Sequence, residues 1–238
     1  MMKRHILVTA LLAAGLSLGT LAPVQAAAPV THVEIEKPAT GTTILIVTPE
    51  VSLGILTASG MTEPRAEWSK AATGYFSDSL KKALGAREYA THEIHLDTYE
   101  DPRALQMLKL NDEVISAIMG NTYYKLPTKT TFDWTLGESA QVLVPAELAG
   151  TVTAPRYALF LRAKGSYQSS AKAALNVGMA LLRGPMQFGG QAVQATLVDL
   201  STGQVVWYEL DAVPTGEDIR EPEGAAKVIE RLFKKLPL

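Results

Sequence analysis

Thr42-Thr-Ile-Leu-Ile-Val-Thr48 (TTILIVT) is a continuous run of β-branched and aliphatic residues. With no polar alternation, it predicts a strand buried on both faces, central in a sheet. Such a strand needs cover on both sides, and the residues after it supply candidate helices. Pro49 to Met61 reads as a loop punctuated by Gly54 and Gly60. A helix is predicted over Pro64 to Leu84, with Pro64 in its first turn and Thr62 ahead of it as a cap. Trp68, Ala72, Tyr75, Phe76, Leu80 and Leu84 recur along its inner stripe, and Gly85 ends it. Tyr89 to Asp97 alternates as a strand with His92, Ile94 and Leu96 on one face. Asp101-Pro102 opens a second helix, whose apolar side is Leu105, Leu108, Ile115, Ile118 and Met119 until Gly120-Asn121 stops it.

Further along, Tyr123 to Gly137 is an aromatic connector without a period, and Glu138 to Leu148 is a short helix interrupted near Pro145. Arg156 to Lys164 is a strand. Gln191 to Tyr208 reads as a hairpin turning at Ser201-Thr202-Gly203. Gly203 supplies the positive φ the return needs, and Asp199 can bond the turn amides. Pro222 to Leu236 is a terminal amphipathic helix with Val228, Ile229, Leu232 and Phe233 inward. Ahead of everything lies a polar lead-in, residues 27–41, in which His32 to Glu36 alternates as a short edge strand. The expected class is α/β (α+β): a mixed β-sheet covered by helices, ending in an antiparallel hairpin and a C-terminal helix. One α/β domain is expected over residues 42–238.

The first 26 residues have the three parts of a signal peptide. Lys3 and Arg4 form a positive start, Ile6 to Leu21 an apolar run, and Val24-Gln25-Ala26 a small-residue cleavage site. The apolar run is shorter than the ~20 residues a membrane anchor needs. Cleavage after Ala26 would leave a soluble periplasmic or secreted chain. It would carry 20 Lys and Arg against 24 Asp and Glu, a net charge of −4. That acidity argues against nucleic acid as a partner. The absence of cysteine removes disulfides, thiol nucleophiles and thiolate metal sites together.

Candidate chemistry is sparse. Ser169-Ser-Ala-Lys172 matches the S-x-x-K pattern of serine acyl-enzymes, with Ser169 as nucleophile and Lys172 as its base. The companion S-D-N and K-T-G elements are missing, and Ser79-Leu-Lys-Lys82 matches the same short pattern inside a helix. Ser169 or Ser170 capping a helix is the favoured reading of these residues. Glu93, His95 and Asp97 share one strand face, as do His32, Glu34 and Glu36. Same-face neighbours stand ~7 Å apart, too wide for one metal ion, and a solvated face is the expected reading. No cofactor or metal is expected.

Asp199, Thr202, Gly203 and Trp207 form a hairpin ending D-x-x-T-G-x-x-x-W, followed by the helix that carries Ala225 to Phe233. With Ile44 to Val47 and the helix after Pro64, this resembles the group that contains the curli secretion channel subunit and the penicillin-binding-protein activators. The resemblance implies an envelope protein that acts by binding other proteins. Many of that group are lipoproteins, whereas this chain has no cysteine to carry a lipid. The reading is therefore an exported, non-catalytic interaction module of the cell envelope; the alternative is a periplasmic serine hydrolase of cell-wall or ester substrates built on Ser169 and Lys172. A small-ligand binder using Tyr123, Tyr124, Phe132 and Trp134 is a third. The partner is expected to be an envelope protein, with a membrane-surface contact as an option and the oligomeric state open.

Ala171 to Met186 is the segment expected to contact that partner. It is an apolar insertion where a short connection would suffice, and Gly178, Gly184 and Pro185 suit a segment able to rearrange. Helical phasing places Leu175, Met179 and Leu182 on one side, with Arg183 and Met186 beside them. Replacing Met179 and Leu182 with Ser should leave the Tm nearly unchanged and abolish co-purification of the partner. If the double variant unfolds, the segment is core.

Overall fold

The computed structural model describes residues 33–99, 101–124, 133–172 and 190–238. β1 (Thr43–Val47) is buried at all five residues because it runs between two parallel partners, β4 (Ala90–Ile94) and β5 (Tyr157–Gln168). The twelve-residue β5 is the axis of the sheet. Along one side it pairs with β1, Ile44 opposite Tyr157, and then with β2 (Glu50–Leu56), Glu50 opposite Arg162. Along its other side runs antiparallel β6 (Gln191–Asp199), which pairs in turn with β7 (Val205–Ala212). β3 (Thr62–Pro64) folds back on β2. The order is thus β4–β1–β5–β6–β7 at one end and β3–β2–β5–β6–β7 at the other.

β1 and β2 are one strand line interrupted at Thr48-Pro49. Four residue steps separate Ile46 from Glu50, but only three separate their partners Leu159 and Arg162. The extra residue makes a bulge-like offset, and Pro49 has no N–H to give to a neighbour. There the line exchanges its outer partner, β4 for β3.

Alternation along the strands sends side chains to two layers of cover. α1 (Ala66–Gly85) and α3 (Pro222–Phe233) bury Phe76, Leu80, Val228 and Leu232 against Ile44, Ile46, Leu159 and Trp207. On the opposite face, α2 (Arg103–Tyr124) and a 3₁₀ turn over Glu138–Leu143 bury Met107, Ile115, Ile118 and Leu143 against Leu45, Val47, Ala158 and Phe160. The architecture is the mixed, helix-covered sheet with a terminal hairpin and helix.

Several elements depart from the expected ones, each for a local reason. Pro49 to Met61 is mostly strand, not loop. Gly54 sits inside β2 because a Cβ there would lie 2.5 Å from the Glu63 carbonyl oxygen across the hairpin. Pro64 ends β3 instead of opening a helix; α1 starts after Arg65, with no side-chain cap. The inner stripe of α2 is Ala104, Met107, Asn111, Ile115 and Ile118, which leaves Leu105 42% exposed, and the helix passes Gly120-Asn121 to reach Tyr124. Residues 33–36 form no strand.

The hairpin turn is held by side chains and by one close approach. Asp199 Oδ1 accepts from the Ser201 N–H at 2.9 Å, and Arg156 donates to Asp199 Oδ2 at 3.0 Å. Thr202 Oγ1 accepts from the Gln204 N–H at 3.2 Å. Gly203 has φ +72°, and a Cβ would meet the Gly137 carbonyl oxygen at 2.1 Å. Trp207 is fully buried between the sheet and its helices. Trp207→Ala should therefore cost about 3–5 kcal/mol in urea melts; a change under about half a kcal/mol would contradict a core role for this ring.

Candidate functional site

Among the described residues, β4 is paired on one side only. The Ala90 N–H donates to the Thr42 carbonyl at 3.1 Å and the Thr48 N–H to the Ile94 carbonyl at 3.0 Å, so Ala90, His92 and Ile94 turn their main-chain groups toward β1. Strand alternation then turns those of Thr91 and Glu93 to the open side.

A groove of about 750 Å³ follows this open edge. Four consecutive residues, His92 to His95, line it. Side chains alternate across a strand, so a lining of four in a row means that the groove runs along the backbone edge. Its far wall is the segment Val142 to Glu147, and His92 Nε2 stands 3.9 Å from Glu147 Oε1. At one end the Tyr99 hydroxyl donates to the Leu143 carbonyl at 3.1 Å, tying the two walls together. Asp101, also in the lining, accepts from the Arg103 N–H at 2.9 Å and pairs with its guanidinium.

Glu93 reaches from the edge under α1. Lys81 Nζ lies 2.6 Å from Oε2, while Ser77 and Thr48 hydroxyls lie 2.5 and 3.2 Å from Oε1. Its side chain is only 10% exposed, so Glu93 departs from the expected solvated row, while His95 and Asp97 are exposed. Burial works against the charge on Glu93, but hydrogen bonds from Lys81 and Ser77, the Lys81 charge and the Thr48 contact outweigh it. The carboxyl is held below its ordinary range. It is a fixed counterion, not a poised general acid.

The Thr48 hydroxyl also fixes His95. Thr48 Oγ1 lies 2.8 Å from the Ile94 carbonyl and 3.2 Å from the Glu93 carboxylate, both acceptors, and it has one hydrogen to give. The same oxygen lies 2.8 Å from His95 Nδ1, a contact that holds the ring against Thr48.

Other sequence-singled residues lie elsewhere. Ser169 is half-buried beyond the end of β5, and its Oγ accepts the Lys172 N–H at 3.1 Å, the geometry of a helix cap. Asp199, Thr202 and Gly203 sit at the β6–β7 turn, and Trp207 lies within β7 opposite Leu197. Leu175, Met179, Leu182, Arg183 and Met186 lie outside the described residues, as do residues 1–26 and Phe132. Trp134 is half-buried, its carbonyl accepting from the Val205 N–H. Among the described residues no group of three or more His, Asp or Glu side chains could hold a metal ion. Sequence reasoning missed the groove because its far wall, Val142 to Glu147, has no periodic or motif signal.

No protein-family model and no curated protein matches the chain. Among solved structures, the PelC dodecamer from Paraburkholderia phytofirmans is 12% identical, with a TM-score of 0.34, covering 86% of this chain and 95% of that one. Lipoprotein GNA1162 from Neisseria meningitidis is 12% identical over 82% and 96%, at a TM-score of 0.34. The LpoB C-terminal domain from Salmonella enterica is 18% identical over 74% and 86%, at 0.28.

The state of Glu93 makes a pH prediction. A carboxyl held below its unfolded value of about 4.5 adds stability above that pH and loses it as pH falls through the folded value. Glu93→Gln should therefore be less stable at neutral pH and lose less on acidification. Urea melts from about pH 7 to about pH 3 would check this; parallel acid losses in both proteins would show that the ion is not anchored as described.

Proposed function

We propose that this chain is an exported, non-catalytic interaction module of the cell envelope that binds a partner protein in the groove beside β4. The observation that carries the reading is the groove itself. It follows a strand edge that has no partner among the described residues, and ionisable groups around it face partners within the protein: Glu93 to Lys81, Asp101 to Arg103, His95 to Thr48 and His92 to Glu147. What the groove offers a ligand is shape, main-chain groups and the apolar wall at Val142, Val144 and Pro145. These are means of recognition.

Export rests on the N-terminal 26 residues read as a signal peptide, with periplasmic or secreted material as its product. Among the described residues, no helix is long and apolar enough to cross a membrane. Membership of the curli-channel and penicillin-binding-protein activator group is part of this proposal, carried by the hairpin and terminal-helix residues. The apolar side at Leu175, Met179 and Leu182 is proposed as a second contact with the same partner.

A photo-crosslinking residue introduced at Ala146, exposed on the far wall of the groove, should give a discrete adduct with an envelope protein in intact cells. The same residue at Lys70, exposed on α1, should not. Equal labelling at both positions, or none at either, would sink the proposal.

A further inference from the structure

We infer that the occupant of the groove is a single extended peptide segment of another polypeptide, added to the sheet as a strand beside β4. This rests on the interaction reading above and names the kind of partner it requires. Among the described residues the sheet has three outer strands, and they differ. β3 is three residues long and ends in Pro64, which has no N–H to offer. β7 is covered where it begins: the Val205 N–H donates to Trp134 and the Leu136 N–H to Gly203, while Val206 and Trp207 are 1% and 0% exposed. β4 is five residues long, carries no proline, and has Ala90 exposed and Thr91 and His92 partly exposed.

The outward N–H and C=O groups of Thr91 and Glu93 recur two residues apart, about 6.5–7 Å. An extended main chain presents complementary groups at that same repeat, which a compact small molecule does not. Width selects a lone segment over the edge of another folded sheet. Val142 to Glu147 stands across the groove, so a second sheet carrying its own neighbours would collide with that wall. The bound strand would alternate as every strand does. One set of side chains would face the apolar wall at Val142 and Val144, and the other would lie over the Lys81–Glu93 pair. The peptide is therefore expected to carry apolar residues at every second position.

The test uses the purified full chain and a displayed library of short random peptides. A selected peptide is synthesised and titrated against four proteins: the unaltered chain, Thr91→Pro, Thr91→Val and Ala146→Trp. Thr91→Pro removes one outward donor without touching the β1 ladder, Thr91→Val keeps the donor, and Ala146→Trp narrows the groove from its far wall. Thermal melts confirm that each variant folds. Bound peptide should protect the amides of Thr91 and Glu93 from hydrogen exchange. Thr91→Pro should weaken binding about tenfold or more, the equivalent of one main-chain hydrogen bond left unmade. Ala146→Trp should weaken it too, and Thr91→Val should not. If Thr91→Pro does not fold, the Ala146→Trp and amide-protection results decide alone. Binding that survives Thr91→Pro and Ala146→Trp, with those amides unprotected, overturns strand addition while leaving a module that binds elsewhere. Failure to select any binding peptide also overturns it, and the Ala146 crosslink then judges the broader reading separately. Self-association that depends on Thr91 would overturn it in favour of a second copy.

Discussion

One side of β5 has to serve two partners. β1 uses its first residues and β2 its last, and the exchange is made within Thr48-Pro49. A single straight strand along β5 would have kept one outer neighbour throughout. The extra residue and the missing proline N–H break that line instead, so β4 stays with β1 and β3 with β2. The same break leaves the Thr48 side chain beside the carboxyl ends of β1 and β4, where it meets Glu93, the Ile94 carbonyl and His95. The open edge and the network that stiffens it therefore share a cause.

An open edge is a hazard as well as an opportunity, because any extended chain can pair with it. Here Glu93 turns inward beneath α1 and is satisfied by Lys81, Ser77 and Thr48. Such a buried charge is stable only while all three partners stay in place, so it pins β4 to α1 and fixes the outward direction of its main chain. The wall at Val142 to Glu147, tied to Tyr99 through the Leu143 carbonyl, then limits what can approach. An edge that is rigid, short and walled loses little entropy when a strand is added, which favours binding without inviting open-ended stacking.

Much of the scaffold was legible because hydrophobic period alone sets it. TTILIVT had to be central, the stripe through Phe76, Leu80 and Leu84 had to be helical, and the hairpin was marked by Asp199 and Gly203. What was misread depends on partners distant in sequence. Gly54 looked like loop punctuation, yet its missing Cβ is what lets β2 and β3 approach. Pro64 looked like a helix start, yet it blunts an edge strand. Leu105 and Ala104 are adjacent, and only the packing of α2 on Leu45 and Phe160 decides which one is inside. Glu93 was assigned to solvent because nothing in its own strand reveals that Lys81 and Ser77 of α1 will lie over it.

The groove was the least legible feature, and its chemistry explains why. A catalytic site imprints itself as particular side chains at particular spacings, since each step needs a defined nucleophile, acid or base. Recognition through Thr91 and Glu93 uses amide and carbonyl groups that every non-proline residue carries. The side chains need only keep the strand in place and its outer edge clear. Such a site constrains the sequence mainly by exclusion: no proline at an outward position, no bulky residue at Ala146, and a satisfied charge at Glu93. Those are properties of an edge in three dimensions. A motif search along the chain passes over them, while the pairing pattern of β4 makes them plain.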